Sequence, residues 1–156
     1  MGCTRSPFSG GFRCCAFCTG PVNPDVIQTN SSMHICLDVD DTITYEPIFF
    51  AMLTQAFTTA KITIVTFRTD FDAAMHLLNE LGIRYDKLVV STDDAEGQTD
   101  GESLHVWKSR LINRLKPDIF FEDMPEVVAL IDDGIAVFQP CDKLIRSWMR
   151  EQLAKS

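Results

Sequence analysis

Long apolar runs are missing from this chain. No stretch approaches the ~20 residues that a membrane-spanning helix needs, and no apolar core of a secretory leader is legible near its start. Basic residues are outnumbered: 14 Lys and Arg stand against 22 Asp and Glu, a net charge of −8. That balance argues against a broad nucleic-acid-binding surface, which needs a basic patch. Histidine is limited to His34, His76 and His105, too scattered to form a cluster. Cys15-x-x-Cys18 has metal-ligand spacing, but no second Cys or His pair follows at zinc-finger distance. No internal repeat is apparent. What is present is a chain of 156 residues with a hydrophobic fraction of 46%. That is long enough for one domain with a real core and has the composition of a globular protein.

Residues 1–32 differ from the remainder. They are rich in Gly, Ser, Pro, Thr and Cys, lack periodicity, and carry only Arg5, Arg13 and Asp25 as charges. This composition predicts a disordered or loosely attached extension, followed by one domain over 33–156. Met33 opens the first strand directly, so a native start there is an expectation. Gly2 with Ser6 also fits a short, permissive acylation pattern. Four of the six cysteines, Cys3, Cys14, Cys15 and Cys18, fall in the extension, while Cys36 and Cys141 read as single core or near-core residues. A reducing, cytoplasmic compartment is therefore expected.

From Met33 onward, strand and helix patterns alternate. Strands are expected at 33–38, 62–66, 87–90, 118–121 and 135–138. Helices are expected at 47–59, 70–81, about 107–115, 125–131 and 141–153. Pro47 suits a first helical turn and Gly82 a helix terminus. The segment 91–102 reads as a polar loop and as a mobile rim. Five strands alternating with helices call for an α/β fold, a three-layer sandwich around a five-stranded parallel sheet. Right-handed crossovers bring the carboxyl ends of those strands to one edge, which is where ligands bind in open α/β sheets.

The residues at those ends carry chemistry. The run Met33–Leu37 stops abruptly in Asp38, Asp40 and Asp41, followed by Thr42. Carboxylates this close need a cation or a shared proton to coexist, although an acidic turn after a strand is the simpler alternative. If the chain curls just after Asp38, both Asp38 and Asp40 can converge on one ion, and hard oxygen ligands suit Mg²⁺. The second strand ends Thr66-Phe67-Arg68-Thr69, with Thr69 or Asp70 available to cap the next helix. The fourth ends Phe121-Glu122-Asp123, and Asp123 with Glu126 also fits a capping box. Glu122, closing a very apolar strand, is left unexplained by capping, and isolated buried carboxylates are costly without a partner.

The segment Asp38-Val39-Asp40-Asp41-Thr42 resembles the first motif of the haloacid dehalogenase (HAD) superfamily, Asp-x-Asp-x-Thr after an apolar strand. Thr66, Lys108 and the Glu122-Asp123 pair follow in that family's order. The resemblance implies a phosphohydrolase in which Asp38 is the nucleophile and forms an aspartyl-phosphate, and Asp40 is the general acid and base. It implies phosphate contacts from Thr42, Thr66 and Arg68, and charge compensation from Lys108, which is expected to open its helix while Leu104–Trp107 is extended. Mg²⁺ would be held by Asp38, the Asp40 backbone carbonyl, and Glu122 or Asp123. Asp40 argues against a true dehalogenase, which lacks the second acid.

Only one helix and a turn separate Asp38 from Thr66, so a full cap domain has no room. An open site suits a large substrate, or a small phosphorylated one covered by a neighbouring subunit in a homo-oligomer. The compact form also resembles the phosphatase half of phage polynucleotide kinase, which makes a nucleic-acid 3′-phosphate a further candidate despite the acidic charge. A catalytically silent, HAD-like binding module is the alternative from another class.

Overall fold

Strand Lys61–Thr66 shows what this sequence demands of its fold. Five of its six residues, Ile62 to Thr66, are buried, on both faces alike, and a strand buried on both sides needs a layer above and below. The computed structural model describes residues 32–140 together with 147, 150, 151, 153 and 154. Its elements are β1 (His34–Leu37), α1 (Pro47–Ala56), β2 (Lys61–Thr66), α2 (Phe71–Glu80), β3 (Lys87–Val90), α3 (Leu104–Leu115), β4 (Ile119–Phe121), α4 (Pro125–Val128) and β5 (Ala136–Phe138). All strand pairs are parallel, in the order β3-β2-β1-β4-β5. This is a Rossmann-like α/β sheet. The expected extension, with its Cys15-x-x-Cys18 pair, lies outside the described residues, as does most of the expected last helix.

Two apolar layers flank the sheet. On one face Leu37, Ile62, Ile64 and Val90 meet Phe50 of α1 and Ala74 and Leu78 of α2. On the other, Cys36, Val65, Val89 and Phe120 meet Trp107, Leu111 and Ile112 of α3 and Val127 of α4. Burying a side chain of this size contributes about 1.5–3 kcal/mol. No helix among the described residues is long and apolar enough to cross a membrane, and no domain is inserted between β1 and β5.

Local chemistry sets several boundaries. Asp70 caps α2, its carboxylate accepting from the Ala73 amide at 2.9 Å. Gly82 follows that helix with φ +69°, and the Ile83 amide returns to the Leu78 carbonyl at 2.9 Å, a helix end that favours glycine. Helix α1 stops at Ala56, short of the expected Thr59, because Phe57 leaves helical geometry. Helix α4 covers only Pro125–Val128 rather than 125–131, and the turns after it are three-residue ones, Leu130 to Val127 and Ile131 to Val128. Helix α3 starts earlier than expected, at Leu104, with its first bond from the Trp107 amide to the Ser103 carbonyl at 2.9 Å. Packing overrides the β-propensity of Val106 and Trp107: burial of Trp107, Lys108, Leu111 and Ile112 extends one helical stripe.

The 91–102 segment is tied down at several points. Its Glu96 pairs with Lys87 and Arg114, and the Glu96 carbonyl accepts from the Trp107 indole at 2.7 Å. The Gln98 amide reaches the Ser91 carbonyl at 2.7 Å.

Candidate active site at the carboxyl ends of β1 and β4

Strand order reverses between β1 and β4, and the crevice opens there, as expected for a doubly wound sheet. Asp38 directly follows β1 in extended geometry. Its amide donates to the Phe121 carbonyl at 3.0 Å, which ties the end of β1 to the end of β4. The chain then curls: Asp41 takes φ +57° and the Thr44 amide closes the turn on the Val39 carbonyl at 2.9 Å. A non-glycine residue at positive φ is uncommon and marks a locally dictated backbone.

Lys108 rises from the second turn of α3 rather than opening the helix. It is fully buried, and its ammonium donates to Asp38 Oδ1 at 2.5 Å and to Glu122 Oε2 at 2.9 Å. The Phe67 ring lies beneath it, 4.1 Å from Nζ to the centroid, where a ring face attracts a cation. Glu122 is fully buried and its other oxygen accepts from the Met124 amide at 3.1 Å. Asp123 is half-buried and does not cap α4, whose N-terminal position belongs to Met124. Instead Thr42 Oγ1 approaches Asp123 Oδ1 at 3.5 Å.

Asp38, Glu122 and Asp123 each offer a carboxylate oxygen within 4.8 Å of the others. Burial pushes all three carboxyls above their ordinary values, Glu122 to about 7, against the opposing pull of Lys108. Burial pulls the Lys108 ammonium down, but the charges of Asp38 and Glu122 together outweigh it and hold it above its ordinary value. The lysine is therefore charged, and the acids remain short of positive charge. With all three carboxyls ionised, one ammonium would leave two negative charges unmatched, so the trio must keep a proton or take a cation. Hard oxygen donors with that surplus fit a divalent cation such as Mg²⁺.

The remaining sequence candidates divide. Asp40 is about half exposed and is held by Arg68, Nε to Oδ2 at 3.0 Å and Nη2 to Oδ1 at 2.6 Å. Asp40, Phe67 and Lys108 line the same cavity of about 90 Å³ as the trio. Thr66 and Thr42 are fully buried beside it, and Thr66 Oγ1 accepts from the Arg68 amide at 3.3 Å. Sequence reasoning missed two parts of this site, the Phe67 ring under Lys108 and the Arg68–Asp40 pair. The signal for the first was available, since Phe67 directly follows the β2 strand end that carries Thr66.

The class defined by this geometry is a Rossmann-like α/β domain with a lysine-bridged carboxylate site at its topological switch point. No protein-family model and no curated protein matches the sequence. Among solved structures, a chain of the "Structure of Pnkp1/Rnl/Hen1 complex" is similar in fold, with a TM-score of 0.54 and 16% identity. The match covers 71% of this chain and 46% of that one. A chain of the "Structure of the Pnkp1/Rnl/Hen1 RNA repair complex" gives the same score and identity, over 72% of this chain and 43% of that one. This chain thus corresponds to less than half the length of the solved chains it matches.

Proposed function

We propose that this domain is an Mg²⁺-dependent phosphomonoester hydrolase of the HAD type, acting through an aspartyl-phosphate on Asp38. The observation that carries the reading is the buried charge balance: Asp38, Glu122 and Asp123 converge within 4.8 Å around a single ammonium, that of Lys108. An acidic turn alone would leave these groups in water. Asp38, Glu122 or Asp123, and the Asp40 backbone carbonyl would hold the ion. When bound, Mg²⁺ offsets the charge of the transferring phosphoryl group.

The chain's own residues supply the steps. An Asp38 carboxylate oxygen bonds to phosphorus in line with the ester oxygen, and the bond from phosphorus to that oxygen breaks. Asp40 gives the departing oxygen a proton. Asp40 then takes a proton from water as the water oxygen attacks phosphorus, and the bond to Asp38 breaks to release inorganic phosphate. Splitting the displacement in this way lowers each barrier. Lys108 orients Asp38 and offsets phosphoryl charge. Arg68, its side chain a third exposed beside Asp40, is the group that exchanges Asp40 for a substrate phosphate oxygen, with Thr66 and Thr42 supporting the same pocket.

A small phosphorylated metabolite or nucleotide is the first substrate class. A nucleic-acid 3′-phosphate is the second, since no cap domain is present among the described residues and the fold neighbours belong to an assembly described as an RNA repair complex. The test is hydrolysis of p-nitrophenyl phosphate with Mg²⁺ and with EDTA, beside Asp38→Asn. Metal-dependent turnover that the substitution abolishes supports the reading. No turnover, together with no rise in melting temperature on adding Mg²⁺, overturns it in favour of a binding module.

A further inference from the structure

The β2–β3 ladder ends where Thr66 faces Val90. The next three carbonyls, those of Phe67, Arg68 and Thr69, all accept from the two residues that follow β3. Ser91 Oγ donates to the Phe67 carbonyl at 3.0 Å and approaches that of Arg68 at 3.3 Å. The Ser91 amide donates to the Arg68 carbonyl at 3.0 Å. Thr92 Oγ1 donates to the Thr69 carbonyl at 2.6 Å. Ser91 is buried, and its own carbonyl accepts from the Gln98 amide at 2.7 Å, so the tethered loop backs it. From the other side, the Arg68 amide donates to Thr66 Oγ1 at 3.3 Å. Arg68 is thus gripped at its amide, its carbonyl and the carbonyl before it.

Satisfying carbonyls at a strand end is reason enough for a Ser-Thr pair, but the neighbouring side chains give Ser91 a second task. Phe67 has an anchor of its own, its ring lying against Trp107 at 6.2 Å and beneath Lys108 at 4.1 Å. Arg68 has none. Among the described residues its guanidinium hydrogen-bonds Asp40 alone, the group it releases when a phosphate arrives. Its side chain is 33% exposed. Once Asp40 is released, the backbone from which Arg68 springs is what keeps its planar fork aimed, and bidentate contact to phosphate depends on that aim. We infer that Ser91, with Thr92 beside it, is a positioning residue for Arg68, fixing the backbone from which the guanidinium reaches a substrate phosphate. The inference rests on the phosphohydrolase reading, in which Arg68 contacts that phosphate.

A double-mutant cycle separates this role from a purely structural one. Hydrolysis of p-nitrophenyl phosphate in Mg²⁺ is measured for the unsubstituted chain, Ser91→Ala, Arg68→Gln and the double variant. Misplacing a group near the reacting atoms by an ångström costs up to about 100-fold, so Ser91→Ala is expected to lower kcat/KM by about three- to tenfold, chiefly through KM. In the Arg68→Gln background the same change is expected to cost less than about twofold, because the group it aims is gone. An equal loss in both backgrounds overturns the inference, since a serine that only supports the fold acts whether or not Arg68 is present. Unaltered kinetics of Ser91→Ala overturn it as well. If Ser91→Ala fails to fold, Thr92→Val, at an exposed position, goes through the same cycle under the same criteria. Absence of turnover in the unsubstituted chain is a separate failure: it overturns the phosphohydrolase reading, and the inference with it.

Discussion

Lys108 Nζ sits 2.5 Å from Asp38 Oδ1, although 70 residues separate them in sequence. Neither side chain has appreciable contact with water. Removing one partner of a buried ion pair strands the other, at a cost of about 3–5 kcal/mol. Lys108→Met is therefore expected to lower stability by that amount in EDTA, with partial recovery in Mg²⁺, and to reduce turnover at least about 100-fold. Denaturant titration and steady-state kinetics check the two effects separately.

Arg68 and Asp40 form the contrasting pair. Their side chains are 33% and 52% exposed, so the pair itself contributes less than about 1 kcal/mol to stability. Arg68→Gln should leave the melting temperature almost unchanged while lowering kcat/KM roughly tenfold or more through lost bidentate contacts to phosphate. A variant that melts early with unaltered kinetics would contradict the assignment.

The metal-free protein should lose stability as pH rises. Burial raises the Glu122 carboxyl from an ordinary 4.5 to about 7. Between those values the folded chain holds a proton that the unfolded chain has released, so raising the pH favours unfolding. Above about 7 both states have lost it, and the folded one carries the buried charge. Melting curves from pH 4.5 to 8 in EDTA should show this fall. Mg²⁺ should reverse it at the upper end, and Glu122→Gln should flatten it.

Cys36 is fully buried and its thiol is pushed up to about 12, chiefly by burial. Since the thiolate is the reactive form, iodoacetamide at pH 8 should leave Cys36 unmodified in the folded protein and label it in guanidinium. Peptide mass spectrometry reads both conditions. Rapid labelling of the native chain would show that β1 opens.

Gly97 tests the tethered loop. A Cβ there would lie 2.4 Å from the Asp93 carbonyl oxygen and 2.7 Å from that of Ser91. Gly97→Ala is expected to cost about 1–3 kcal/mol, as overpacking does. At Gly134 nothing lies within 4 Å of the added carbon, so Gly134→Ala should stay within about 0.5 kcal/mol of neutral. Thermal melts of the two variants side by side make the comparison.

The sheet was legible because each strand is a short apolar run bounded by turn chemistry. Strand β3 matches its expected span, and β1, β2, β4 and β5 differ at their ends by a residue or so. The start of α3 was not legible, because Val106 and Trp107 favour extended backbone locally and only the tertiary burial of Trp107 and Lys108 reverses that preference. The meeting of Asp38, Glu122 and Asp123 could be anticipated from their places at two strand ends. The turn of Asp40 toward Arg68 could not. Alternation along a strand gives no direction to a side chain beyond its end, and here the left-handed backbone at Asp41 shapes the curl.

The pairing of β1 with both β2 and β4 has a consequence for how the protein comes into being. The partners in β1 and β2 are 27 residues apart, whereas Ile35 and Ile119 are separated by 84. Contacts that close longer loops form later, because chain entropy must be lost before they reward it. The first half, two β-α-β units from β1 to β3, can organise first, with Asp38 at an open edge. Lys108 and Glu122 meet Asp38 only when α3 and β4 dock. A nascent chain that stops before α3 would hold Asp38 and the Arg68–Asp40 pair but neither Lys108 nor Glu122, so the carboxylate cluster is completed only at the last stage of folding.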